Sequence, residues 1–134
     1  MGHQDIFQRA SFAHVCGDSI IAAIAGLALY ASFPPVGWWW LSVPALALFL
    51  SRIDEARAPR ALTVTFVFGM SFWVPLIDWI PLAVGTTPPW FVLAFVQTLF
   101  LMAWVLFARW TQLWRWARGP LVQALLFALT WTGI

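Results

Sequence analysis

The chain has 134 residues, of which 63% are hydrophobic and 9% charged, with a net charge of +2. Soluble domains carry roughly 25% charged residues, so this sequence lacks the means to cover a water-facing surface. Its seven basic residues are all arginine and form no dense basic segment, which excludes nucleic acid as a partner. The lone Cys16 excludes an internal disulfide, and His3 and His14 fit no zinc pattern. The fold class that remains is an all-α, polytopic integral membrane protein.

Charge spacing divides the chain. No charged residue lies between Asp18 and Arg52, and between Arg60 and Arg109 there is only Asp78. A bilayer core of ~30 Å needs about 20 helical residues, so each stretch is long enough for two helices and a turn. Residues 1–14 read as a cytoplasmic N-terminal segment and residues 15–134 as a transmembrane domain. The first span is expected at Val15–Phe33. Arg9 followed by Ile20–Tyr30 also resembles a cleaved signal peptide, but no clear A-x-A site follows and further long apolar runs do.

Phe33-Pro34-Pro35-Val36-Gly37 breaks the first stretch, because paired prolines lack backbone donors and disfavour helix before them. The second span, Val36–Ser51, would rise only about 24 Å, and Pro44 within it is expected to kink it. The third span is placed at Ala61–Leu82. Gly85-Thr86-Thr87-Pro88-Pro89 then forms a second turn, and the fourth span runs over Pro89–Ala108. After Gly119-Pro120 an apolar run covers Leu121–Ile134, which would rise about 21 Å as a helix. The expectation is therefore four complete transmembrane helices plus an incomplete fifth, as in a fragment or a truncated reading frame. A re-entrant or interfacial terminal segment is the alternative.

Orientation follows from the arginines. Arg9 precedes the first span, Arg52, Arg57 and Arg60 lie between the second and third, and Arg109, Arg115 and Arg118 follow the fourth. The two Pro/Gly turns carry no basic residue. All seven thus fall on one side, which the positive-inside rule makes cytoplasmic, together with the N-terminus. Tryptophans agree: Trp38, Trp39, Trp40, Trp79 and Trp90 gather near the turns, and Trp110, Trp114 and Trp116 near the arginines. Indole favours the membrane interface. Trp73 and Trp104 lie deeper and are expected to pack between helices.

Few residues offer chemistry. Asp78 is the one acid within the long apolar stretches, and intramembrane ionisable groups are often functional. Beside Trp79, its plainer reading is an interfacial carboxylate. A hydrogen bond to a neighbouring helix, a proton relay or a substrate contact are the alternatives. Gln97 and Thr98 suit interhelical hydrogen bonding, Gly69 and Ser71 suit close packing, and Asp18 reads as interfacial. His14 and Cys16 are two apart, which on a helix turns them to different faces. No nucleophile, base and orienting group converge, so no catalytic residue, metal ligand or cofactor site is assigned.

The order of features carries a resemblance. Leu29-Tyr30-Ala31-Ser32-Phe33-Pro34-Pro35-Val36-Gly37-Trp38-Trp39 is followed by a short span and an arginine-bearing loop. Phe68-Gly69-Met70-Ser71-Phe72-Trp73 then leads to Ile77-Asp78-Trp79-Ile80. This resembles the N-terminal transmembrane domain of the apolipoprotein N-acyltransferase family. The resemblance implies an enzyme of the bacterial inner membrane that acts in lipoprotein biosynthesis. In that family a nitrilase-like catalytic domain outside the membrane holds a Glu-Lys-Cys triad. Its cysteine takes an acyl chain from a phospholipid as a thioester and passes it to the α-amino group of a lipoprotein's diacylglyceryl-cysteine, a covalent two-step mechanism.

No lysine occurs here and Cys16 falls on the opposite side, so none of the triad carries over. The expectation is that the catalytic domain is absent from this chain and that the chain by itself is inactive. The resemblance implies membrane phospholipid and a diacylglyceryl lipoprotein as partners. It makes Phe33, Pro34, Pro35, Trp38, Asp78 and Trp79 lipid-facing or interfacial residues near the catalytic domain. The competing reading is a stand-alone, non-catalytic membrane module, either a transporter subunit or an assembly partner.

Overall fold

The computed structural model describes residues 2–113, with side chains over 15–110 apart from Glu55. All regular elements among them are helical. α1 spans Gly2–Ala31, and a 3-10 turn at Trp39–Leu41 leads into α2, Ser42–Glu55. α3 covers Ala58–Leu76, the short α4 covers Ile80–Val84, and α5 runs over Pro88–Leu113. The expected partial span at Leu121–Ile134 lies outside the described residues.

α3 is the hub, packed against α1, α2 and α5. α1 and α3 run parallel: Asp18 meets Arg60 at one end and Phe33 meets Phe72 at the other. α2 and α5 run the opposite way. All the arginines with described side chains therefore gather at one end, and both Pro/Gly turns lie at the other. Close approach on two sides of α3 depends on glycine. A Cβ at Gly26 of α1 would lie 2.5 Å from the Phe68 carbonyl oxygen, and one at Gly69 of α3 would lie 2.8 Å from Thr98 Cγ2 of α5. Small residues at such crossings let backbones approach, as between membrane helices. Between these contacts the core is apolar, with Phe49 of α2 stacked on Phe68 of α3 at 4.0 Å between ring centroids and Ala22, Ala25, Ala61 and Val64 around them.

Several boundaries depart from the expectation. α1 continues through residues 2–14 as one helix of 30 residues, about 45 Å long, so the N-terminal segment is an extension of the first span. Pro44 does not kink a helix interior. α2 begins at Ser42, so Pro44 falls in its first turn, where backbone N–H groups have no partner within the helix in any case. α2 also continues to Glu55, leaving only Ala56 and Arg57 between it and α3. Most of the expected arginine loop is thus helix.

The expected third span is broken at Ile77–Trp79. Pro75 and Pro81 have no N–H for the carbonyls of Ser71 and Ile77, and the helix closes with Ile77 N–H donating to the Trp73 carbonyl. α4 ends on Gly85 at φ +79°, a left-handed position that glycine takes without a Cβ clash.

Among the described helices, α5 is the one long and apolar enough to cross a membrane by itself, over Pro88–Trp110, and most of that stretch is not buried. The apolar part of α1 is shorter, Val15–Ala31. α2 and α3, of 14 and 19 residues, rise about 21 and 28 Å. Four independently complete spans are therefore more than these lengths provide. α5 buries one stripe on α3, through Ala94, Thr98 and Val105, and leaves Phe91, Val92, Phe95, Leu99, Phe100 and Phe107 exposed. α1 likewise exposes Ile20, Ile24 and Leu27, which share one helical face.

Candidate functional site

α2 and α5 both pack on α3 but form no extensive contact with each other. The gap between them is an apolar cleft of about 590 Å³. Phe68, Phe72 and Trp73 of α3 line its back, Leu46 of α2 one side, and Gln97, Phe100, Leu101 and Trp104 of α5 the other. It reaches the turn end of the bundle, where Ser32, Phe33, Trp39 and Ser42 line it. The local chain explains that rim. α1 ends at Ala31, the prolines turn the chain, and the 3-10 turn sets Trp39 and Ser42 over the cleft. Both rim hydroxyls donate to carbonyls, Ser32 to Leu29 at 2.6 Å and Ser42 to Trp39 at 2.7 Å, and each oxygen retains acceptor capacity.

The residues expected to be lipid-facing lie at this end. Phe33, Pro34, Pro35, Trp38, Asp78 and Trp79 are all exposed. Phe33 lines the cleft and packs against Phe72, with ring centroids 5.8 Å apart. Trp38 stacks on Trp40 at 6.4 Å. Asp78 and Trp79 occupy the turn between α3 and α4 and are not part of the cleft lining. Trp90 donates its indole N–H to the Val74 carbonyl at 2.9 Å, tying the start of α5 to the end of α3. Trp73 is half-buried and Trp104 is buried, in keeping with packing between helices.

Thr98 and Gln97 behave differently from the expected interhelical pair. Thr98 donates to the Ala94 carbonyl of its own helix and presents its methyl to Gly69, so it joins α3 and α5 by packing. Gln97 lines the cleft.

The other end is built from charge. Asp18 of α1 is buried and accepts from Arg60 of α3 through both Nε and Nη2. Arg52 of α2 stands 3.8 Å from the same carboxylate. Arg109 of α5 donates to the Ile53 and Ala56 carbonyls, both at 2.7 Å. These carbonyls belong to the end of α2, where the helix leaves acceptors unpaired, and a cation there also suits the helix dipole. Sequence reasoning missed this assembly, because Asp18 and Arg60 are 42 residues apart and no local pattern links them. A second, smaller cavity of about 300 Å³ lies here, lined by Ser51, Ile53, Asp54, Trp104, Val105 and Arg109 among others.

Such an arrangement can hold an apolar chain with a polar end, but it brings together no nucleophile and base. Cys16 is exposed on α1, near the arginine end and away from the cleft. Among the described residues no three His, Cys, Asp or Glu side chains converge.

Comparison with known proteins agrees with the resemblance in the sequence. Residues 25–134 match the family model described as the apolipoprotein N-acyltransferase N-terminal domain. A protein of Mycolicibacterium smegmatis (strain ATCC 700084 / mc(2)155) named apolipoprotein N-acyltransferase is 42% identical over 88 residues. That similarity takes in 63% of this chain and 14% of the relative, so the chain corresponds to a small part of that protein's length. No solved structure matches. The family model covers most of the sequence, including the cleft and both turns, and the chain belongs to the apolipoprotein N-acyltransferase N-terminal domain family.

Proposed function

We propose that this chain is a multi-pass membrane portion of an apolipoprotein N-acyltransferase, and that its cleft receives an acyl chain of a phospholipid. The cleft carries this reading: it is apolar along its depth and reaches the turn end, where the Ser32 and Ser42 hydroxyls line it. An acyl ester has the same order of polarity, a hydrocarbon tail below an oxygen-bearing head. The exposed faces of α1 and α5 fit hydrocarbon on the outside of the bundle.

In this reading the protein lies in the bacterial inner membrane, with the arginine end in the cytoplasm and the turn end outside. α2 and α3 are short for independent spans and are carried by their neighbours and by the arginine clamps. Phe33, Pro34, Pro35, Trp38, Asp78 and Trp79 lie at the outer interface, beside phospholipid head groups. Acyl transfer to the α-amino group of a diacylglyceryl-cysteine needs a catalytic domain with a Glu-Lys-Cys triad. A sequence without lysine does not compose that triad. The chain therefore frames the lipid and leaves the covalent chemistry to other residues.

The test is phospholipid retention by the purified chain in mild detergent, read by native mass spectrometry with phosphatidylethanolamine added. Retention is expected, and Ser42→Trp, which fills the mouth, should abolish most of it. Unchanged retention in that variant would remove the cleft from the account. N-acyltransferase activity in the purified wild-type chain alone would contradict the division of labour.

A further inference from the structure

Among the described residues, Trp104 is the one that lines both the apolar cleft at the turn end and the smaller pocket at the arginine end. It is 4% exposed, so its indole fills the space between them. Helical side chains lean toward the N-terminus of their own helix. On α5 that direction is toward the turn end, so Trp104 leans up into the cleft. Leu101, one turn nearer the mouth on the same wall, is half-buried and has room beside it. From Gln97 to Trp104 the α5 wall covers about 10 Å of helix, and beyond Trp104 the lining changes character. Above it lie Phe100, Leu101 and Phe68; below it Ser51, Asp54 and Arg109 stand among Leu50, Ile53 and Val105.

We propose that Trp104 is the floor of the acyl-chain cleft and sets the longest chain that it accepts. The inference rests on the reading of the cleft as an acyl-chain site. A chain that fits above Trp104 is surrounded by apolar side chains. A longer one must either displace the buried indole or leave its last carbons outside the mouth among head groups. Each excluded methylene forfeits its apolar burial, so retention falls steeply past the limit rather than gradually. Removing the indole joins the two cavities and lowers the floor, whereas enlarging Leu101 raises it. Trp104 acts here by excluded volume alone and takes no part in bond making.

The experiment measures retention of a series of phosphatidylethanolamines with matched saturated chains of increasing length, by native mass spectrometry of the purified chain in detergent. Trp104→Leu should move the upper limit to longer chains. Leu101→Trp should move it to shorter ones. Leu101→Trp fills existing space and leaves the core intact, so it tests the floor even if Trp104→Leu loses helix content by circular dichroism. Opposite shifts support the assignment. Limits that stay in place, or move in the same direction, overturn it. The mouth variant Ser42→Trp separates the two ideas. If it abolishes retention while both limits stay fixed, the cleft holds the chain and Trp104 is not its floor. If it leaves retention unchanged, the acyl-chain reading itself fails.

Discussion

Two guanidinium groups share the Asp18 carboxylate, and they share it unequally. Arg60 donates through two nitrogens, whereas Arg52 stands 3.8 Å away with its Nε buried and without a partner among the described residues. Hydrogen bonds to charged groups contribute about 1.5–3 kcal/mol, and loosely held, part-exposed ion pairs contribute about 0–1 kcal/mol. Arg60→Ala should therefore lower stability by the larger amount and Arg52→Ala by little, measured as thermal unfolding in a fixed detergent. Equal losses would mean that the two contacts are equivalent. Arg109 offers a second test at this scale. Its two bonds to α2 carbonyls need a planar fork, so Arg109→Lys should lose about 1 kcal/mol or more despite keeping the charge. Retained stability in that variant would show that charge alone suffices. In the sequence these side chains were legible only as a set of arginines on one side, since a positive-inside count registers charge and not partners.

At the scale of elements, α3 is held at two crossings of different tolerance. A Cβ at Gly26 meets a backbone carbonyl oxygen at 2.5 Å, while a Cβ at Gly69 meets only the Thr98 side chain. Backbone cannot turn aside as a side chain can, so Gly26→Ala should separate α1 from α3 and cost more than Gly69→Ala. Overpacking costs typically about 1–3 kcal/mol, and the order of the two midpoints in a detergent-unfolding series checks the claim. The reverse order would place the tighter crossing at α5. Helix existence was legible from apolar runs and the two Pro/Gly turns. Boundaries were not. Pro44 looks interior to an apolar run, yet helix α2 starts only at Ser42, because the chain first makes a 3-10 turn through Trp39–Leu41. Pro75 lies inside α3 and Pro81 in the first turn of α4, so neither alone marks the break at Ile77–Trp79. The cleft was not legible at all. It exists because α2 and α5 both pack on α3 and touch each other little outside the Arg109 bonds, a relation among three elements that no window of sequence contains.

For the whole molecule, one polarity organises the described residues: their arginines lie at one end, and the proline-rich turns and the hydroxyl-lined end of the cleft lie at the other. This much of the architecture was present in the charge spacing, because alternation of basic and non-basic connections survives changes of a few residues in helix ends. It also carries the proposed reading, since a cleft that reaches the turn end could serve acyl transfer outside the cell only if that end faces outward. The most direct measurement is labelling of single cysteines by a membrane-impermeant maleimide on intact cells expressing the chain with Cys16→Ser. Val36→Cys and Thr86→Cys, one in each turn, should label from outside, and Arg57→Cys, between α2 and α3, only after the membrane is opened. Labelling of Arg57→Cys on intact cells, with Val36→Cys and Thr86→Cys protected, would contradict the account.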